Sequence, residues 1–298
     1  MPSQFSSNLG YTNHPLLRAA LRADDKALAK LIASIFNAEA EAAALALEGE
    51  SAQRFLDVVH DTLTRGLFSQ EESQQARRLI RRLADSCDKL PSSLFITGVT
   101  GREDHPTFGG GFGDIYRATH TGKSVALKHM RHFLQGSDLR RIRSKFCREA
   151  LVWKDLNHPH ILAFIGIDRE HFPSSLCMVS PWMEHGTVLK YSVLRFLDPL
   201  WAKLYEIAQG LQYLHSRNIV HGDLRGTNIL ITQDWTACLA DFGLSTFADA
   251  NPSSTLNQGG SLHWMAPELL DPGRFGTKFC RTPATDVYAF GCVCLEVT

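Results

Sequence analysis

The chain has 298 residues, 44% of them hydrophobic, enough for one large domain or two modest ones with a buried core. Lys+Arg and Asp+Glu balance at 31 each, so no overall charge draws the chain to a nucleic acid or an anionic membrane. Seven scattered cysteines without a C-x-x-C pair fit reduced thiols better than a disulfide framework, and 13 histidines show no H-E-x-x-H spacing.

The first residues, Met-Pro-Ser-Gln-Phe-Ser-Ser-Asn, lack the basic stretch and apolar core of a secretory signal. Glu39, Glu41 and Glu48 interrupt the Ala/Leu-rich stretch, so no apolar run reaches membrane-spanning length. Proline blocks Asn251-Pro252-Ser253 as a glycosylation acceptor. A cytoplasmic chain is expected, with no membrane or nucleic-acid partner.

Residues 1–14 are polar. From Pro15 to about Leu90, apolar side chains recur at helical spacing. One stripe is Leu28, Leu31, Ile32 and Ile35, a second is Phe55, Val59 and Leu63, and a third is Ala76, Leu79, Ile80, Leu83 and Cys87. Ser69 and Glu72 read as a capping box opening the last helix, and Pro91 as its close. Arg77, Arg78, Arg81 and Arg82 fit one solvated helix face. The stripes of this helical region, 1–90, are expected to pack on one another or on a neighbouring domain. A helix bundle that binds a protein partner is the sharper alternative.

After Pro91 the character changes. Ser-Leu-Phe-Ile-Thr-Gly at 93–98 and Ser-Val-Ala-Leu-Lys-His at 124–129 read as strands, and helical patterns return at 137–156 and 200–216. Strands followed by helices predict an α+β domain of two lobes over 91–298. Gly122-Lys123-Ser124 looks like the end of a P-loop, but the earlier glycine would fall at Arg117, so a hairpin turn is the better reading. His158-Pro159-His160 reads as a loop rather than a ligand pair.

Three motifs follow in order: His221-Gly222-Asp223-Leu224-Arg225-Gly226-Thr227-Asn228, Asp241-Phe242-Gly243 and Ala266-Pro267-Glu268. Singly, an Asp before Leu could cap a helix and Asp-Phe-Gly could be an ordinary loop. Neither reading explains the ordered set with an apolar run between. The set resembles the signature of eukaryotic-type protein kinases over roughly 91–298. The resemblance implies a bilobal kinase fold, a small antiparallel β lobe plus a helical lobe, preceded by the helical segment. It also implies ATP and Mg2+ as cofactors and a protein substrate.

Phosphoryl transfer needs positioned phosphates, neutralised charge and an oriented nucleophile. By resemblance, Asp241 and Asn228 hold Mg2+, Asp223 orients the substrate hydroxyl, and Arg225 contacts the transferring phosphate. Val125-Ala126-Leu127-Lys128 resembles the strand of the phosphate-binding lysine, with Ala126 and Lys128 on one face. Glu149 is its candidate partner; a surface i,i+4 role is the alternative. The glycine-rich loop is Phe108-Gly109-Gly110-Gly111-Phe112-Gly113-Asp114-Ile115, with Phe108 where the family's first glycine stands. Gly109 can supply the backbone freedom, and weaker nucleotide affinity is the expected consequence. Met178 to Gly186 resembles the hinge, with Ser180 as gatekeeper and Met183 backbone groups on the adenine edge. Ile115, Ala126 and Leu230 would sandwich the ring.

Trp264-Met265-Ala266-Pro267-Glu268, Trp182 and His-Gly-Asp resemble the tyrosine-kinase-like group, which mostly modifies Ser and Thr. Asp-Leu-Arg-x-x-Asn also resembles some tyrosine kinases. Gly222 stands where the family usually has the arginine that receives a loop phosphate. Activity is therefore expected not to depend strongly on phosphorylation of Ser253, Ser254, Thr255 or Ser261. Asp286 is expected to brace the catalytic loop from the long helix near the C-terminus. The sequence stops at Thr298 in or just after this helix, which reads as a C-terminally truncated domain. Glu268 would then lack its usual arginine, and an exposed apolar patch and marginal stability are expected. The competing reading is an inactive kinase-like scaffold or fragment whose N-terminal helices bind a partner.

Overall fold

A computed structural model describes residues 15–110, 113–130, 137–172, 175, 177–193, 200–242, 246–247 and 261–298. The chain divides into two compact units, Met1–Leu94 and Phe95–Thr298.

The first unit contains helices α1 (Pro15–Ala33), α2 (Ala38–Leu45), α3 (Gly49–Thr64) and α4 (Gln70–Cys87). Their buried faces are Ala29 and Ile32, Ala44, Ala52 with Leu56, Val59 and Leu63, and Ala76 with Leu79, Ile80 and Leu83. Each large side chain so buried stabilises by about 1.5–3 kcal/mol, which outweighs the surface ion pairs Arg65–Asp25 and Arg82–Glu41. The capping box at Ser69 and Glu72 is present.

Four details differ from the sequence reading. Leu31, assigned to the first stripe, is exposed, and Ala29 shares the buried face with Ile32. Asn37 caps a separate short helix, α2, with its side chain accepting from Ala40 N–H. Helix α4 ends before Pro91, because Asp88 turns left-handed at φ 53°. The strand expected at 93–98 does not form. The Ser92 N–H (2.6 Å) and hydroxyl (2.8 Å) both bind the Asp57 carboxylate, which sets a short 3-10 turn at Ser92–Leu94.

The second unit begins with a six-stranded sheet of β1 (Val99–Thr100), β2 (Phe108–Gly110), β3 (Gly113–His120), β4 (Lys123–His129), β5 (Gly166–Asp168) and β6 (Cys177–Pro181). The order is β1-β3-β4-β6-β5 with β2 on β3, all pairs antiparallel. Thr121 (φ 49°) and Gly122 (φ 76°) make the two-residue turn between β3 and β4, the hairpin expected there. One face of the sheet buries Ala118, Val125, Leu127, Cys177 and Val179 with Val99. Register puts Ile115, Ala126, Lys128, Met178 and Ser180 on the opposite face. Helix α5 (Ser137–Trp153) follows β4.

The remainder is mostly helical: α6 (Val188–Val193), α7 (Leu200–Ser216), α8 (Pro267–Leu270) and α9 (Pro283–Val297). Strands β7 (Ile219–Val220) and β10 (Thr246–Phe247) pair, and β8 (Ile229–Ile231) pairs with β9 (Ala237–Leu239). A Thr282/Thr285 capping box with Pro283 at the first turn starts α9 sharply. Helix α9 exposes Val287, Tyr288 and Leu295, the last at 81%.

Candidate active site

Lys128 projects from β4 and bridges two carboxylates. Its Nζ lies 2.6 Å from Glu149 Oε1 on α5 and 2.8 Å from Asp241 Oδ1. Glu149 is buried on the inner face of α5 beside Phe146 and Ala150, so the surface i,i+4 alternative does not apply. Burial works against the Lys128 ammonium, but Asp241 and Glu149 together outweigh it and hold its pKa above the ordinary lysine value. Glu149 moves the same way for a different reason. Burial penalises its charge, Lys128 opposes this, and the like-charged Asp241 reinforces it, so its pKa is raised. One lysine shared by two carboxylates reconciles the two shifts.

Asp241 has a left-handed backbone at φ 65°, unusual for a residue with a Cβ. Neighbours hold it there. Ala240 N–H donates to Asn228 O at 2.8 Å, and His221 Nε2 donates to Ala240 O at 3.1 Å. Phe242 is buried against Trp153 of α5 and His221, with ring centroids 5.7 and 5.6 Å away. The helix carrying Glu149 and the loop carrying Asp241 therefore share one packed aromatic contact.

Asp223 is buried and oriented from several sides. Asn228 Nδ2 donates to its carbonyl at 2.9 Å and to Oδ2 at 3.2 Å, and Ser261 N–H donates to Oδ1 at 3.3 Å. The Arg225 guanidinium binds Ser261 Oγ and lies 4.9 Å over the Trp264 ring. This position ties Arg225 to the segment before Ala266-Pro267-Glu268. Asp286 braces the loop as expected: its carboxylate accepts from His221 N–H at 2.8 Å and Gly222 N–H at 2.9 Å.

Around the lysine, Ala126 pairs with Ser180, and Ile115 pairs with Lys128 across β3 and β4. Ser180 is buried, while Leu230 lies on β8 bridged to Thr187. The Met183 carbonyl accepts from Gly186 N–H at 3.0 Å in the turn that follows β6. Gly109 and Gly110 lie on β2, opposite Asp114 and Gly113. Gly113 has φ 142°, and a Cβ there would sit 2.3 Å from the His129 carbonyl oxygen, so only glycine fits. Phe108 stands on the same sheet face as Ile115 and stacks on Trp182, with ring centroids 6.1 Å apart and planes 24° from parallel. Gly111, Phe112, Gly243, Ser253, Ser254 and Thr255 lie outside the described residues.

Sequence reading missed Trp153, Glu296 and Arg281. Trp153 sits four residues after Glu149, a helical spacing that could have flagged it. Glu296 Oε2 accepts from Gly226 N–H at 2.8 Å and Trp264 Nε1–H at 2.9 Å. Its signal was an acidic residue near the face of α9 formed by Asp286, Ala289, Val293 and Val297.

A lysine on a small antiparallel lobe, locked to a helix glutamate and to an aspartate beside a braced Asp/Asn loop, is the architecture of a protein phosphotransferase. Sequence comparison agrees with the geometry over the same stretch, and the chain belongs to the protein kinase domain family, whose sequence model matches residues 106–298. Among curated relatives, it is 29% identical over 198 residues to a serine/threonine-protein kinase, STY46, of Arabidopsis thaliana. That match covers 65% of this chain and 32% of the relative. It is 33% identical over 197 residues to the serine/threonine-protein kinase CTR1 of the same plant, 63% of this chain and 22% of that one. It is 36% identical over 193 residues to the serine/threonine-protein kinase TNNI3K of Mus musculus, 61% of this chain and 22% of the relative. The chain thus spans about a third or less of the length of these relatives. Among the described residues, no helix is long and apolar enough to cross a membrane.

Proposed function

We propose that this chain transfers the γ-phosphate of ATP to serine or threonine hydroxyls of a protein substrate. The observation that carries the reading is Lys128 bridging Glu149 at 2.6 Å and Asp241 at 2.8 Å, which brings strand, helix and loop together at one point. In this reading Lys128 binds phosphate oxygens and Glu149 holds it in place. Asp223 orients the substrate hydroxyl. Arg225, joined to Ser261, links that aspartate to the segment that would receive the substrate. The serine/threonine relatives support the choice of hydroxyl.

The donor set fits Mg2+. Lys128 contributes one positive charge to a cluster with two carboxylates, so a net negative charge faces the site. Asn228 spends its amide N–H groups on Asp223, and its side-chain oxygen, which accepts from the Thr227 hydroxyl at 3.4 Å, keeps a second lone pair for a cation. Asp241 and Asn228 would hold the ion, which when bound neutralises phosphate charge. Gly109, Gly110, Gly111 and Gly113 would cover the phosphates. Ile115, Ala126 and Leu230 would enclose the base, beside Ser180 and the Met183 backbone.

The domain reading is a helical region, 1–90, and a kinase domain, 91–298. In this reading the helices bind a protein partner. The reading includes a cytoplasmic location without nucleic-acid or membrane partners, and the balanced formal charge supports it. The test is the thermal shift of the purified chain with Mg-ATP beside Lys128→Met and Asp241→Ala, followed by phosphotransfer to serine, threonine and tyrosine peptides. Metal-dependent stabilisation lost in both variants, with serine or threonine labelling, is the expected result. A cooperative melt with no shift would overturn it.

A further inference from the structure

Arg281 is 5% exposed, a charged side chain withdrawn from water just before α9. Its Nε donates to the carbonyl oxygen of Gly222 at 2.9 Å. The N–H of the same glycine donates to Asp286 Oδ1 at 2.9 Å. Both polar groups of residue 222 are therefore held from one place, the start of α9. Gly222 sits at φ 80°, immediately before Asp223. A glycine is the loosest link a chain can place next to a residue that must be oriented. The clamp removes that freedom.

The charge of Arg281 has a matching environment. Burial lowers its pKa, and the Asp223 and Asp286 carboxylates oppose this. Those two carboxylates have their other contacts in the catalytic loop and the segments packed on it: Asn228 and Ser261 on Asp223, and His221, Gly222 and His215 of α7 on Asp286. The guanidinium also lies 5.2 Å over the Phe279 ring, which fixes its approach. Arg281 thus meets the peptide that sets the direction of Asp223 and the field around it.

We infer that Arg281 is a positioning residue for the catalytic loop, holding the Gly222 carbonyl so that Asp223 faces the acceptor hydroxyl. Its effect on turnover rests on the phosphotransfer reading; its effect on the loop does not.

The experiment compares the 298-residue chain with Arg281→Met and Arg281→Lys by amide hydrogen exchange and by steady-state kinetics with Mg-ATP and a serine peptide. In Arg281→Met, amides of Gly222, Asp223 and Leu224 are expected to exchange about tenfold faster, with those of α7 unchanged. Its kcat is expected to fall ~10-fold or more while KM for ATP stays within about twofold, and Arg281→Lys should recover part of both effects. Unchanged loop exchange overturns the inference. So does a uniform acceleration across the domain, or failure of both variants to fold, since each marks a purely structural arginine. A parent chain without phosphotransfer refutes the functional reading instead, and loop exchange still decides the role of Arg281.

Discussion

Asp286 Oδ1 accepts the backbone N–H of Gly222 at 2.9 Å across 64 residues of sequence. The second oxygen of the same carboxylate takes His221 N–H and His215 Nε2–H. One buried acid thus satisfies three donors, and of these the His221 N–H belongs to a residue with no exposed surface. Removing the acid takes the partner from that buried donor. Asp286→Ala is expected to destabilise the domain by about 2–4 kcal/mol, and Asp286→Asn by less, because an amide keeps one acceptor oxygen. Urea unfolding of the three proteins checks the order; equal midpoints would refute it.

Lys128→Met tests the central cluster. The substitution keeps the length of the side chain but leaves Glu149 buried beside Asp241 with no cation between them. Phosphotransfer is expected to fall by about 10²-fold or more, since the lysine acts on charge carried by the transferring group. The Mg-ATP thermal shift should shrink in parallel. A variant with normal kcat/KM would show that Lys128 is not the phosphate ligand.

How far the sequence alone reached follows from where each contact originates. Lys128, Glu149, Asp223, Asn228 and Asp241 were legible because their residue types and order match the kinase signature. Asp286 was legible for the same reason. Arg281 and Glu296 were not. They act on backbone groups of Gly222 and Gly226 from 59 and 70 residues away, and a backbone carbonyl or N–H leaves no signature on the partner's identity. The strand expected at 93–98 failed because an aspartate 35 residues earlier captured Ser92, a tertiary contact that overrides local preference. The hairpin at Thr121 and Gly122 was legible because its left-handed backbone narrows the choice of residues by itself.

Gly113→Ala tests a glycine of the loop, among the described residues, whose conformation leaves no substitute. Its added Cβ would meet the His129 carbonyl oxygen at 2.3 Å, with backbone and not a flexible side chain as the obstacle. Either β3 or β4 must shift. The expected loss is about 2–3 kcal/mol, together with a weaker Mg-ATP shift, because Ile115 and Lys128 sit two and one residues from the displaced pair. Gly122→Ala, at a hairpin with open space around it, keeps only the strain of its left-handed φ and is expected to lose about 1 kcal/mol. Equal melting temperatures for the two variants would refute the clash.

Trp153→Ala addresses the aromatic contact between α5 and Phe242. The indole is buried, its Nε1–H donates to the Leu162 carbonyl, and its ring centroid lies 5.7 Å from that of Phe242. Truncation is expected to cost about 3–5 kcal/mol and to leave one buried acceptor unpaired. Trp153→Phe keeps ring volume near Phe242 and should retain most of the Mg-ATP response. Loss of that response in Trp153→Phe with an unchanged melt would show that the Leu162 bond, not the ring contact, aligns Glu149.

Glu149 supplies a pH test whose sign is fixed by its environment. Burial, opposed by Lys128 and reinforced by Asp241, raises its pKa above the ordinary value of 4.5. A carboxyl raised in the folded state stabilises fully below its unfolded pKa, and that contribution fades as pH climbs through the folded value. Glu149→Gln does not titrate. Lys128 is raised above 10.5 and stays charged throughout the acid range, so it adds no slope there. The melting temperature of the parent chain minus that of Glu149→Gln is therefore expected to increase as pH falls from about 7 to about 4.5. Paired thermal melts across that range measure it directly. A difference that stays flat or shrinks on acidification would mean that Lys128 outweighs burial at Glu149, leaving the ion pair fully charged down to the ordinary carboxylate range.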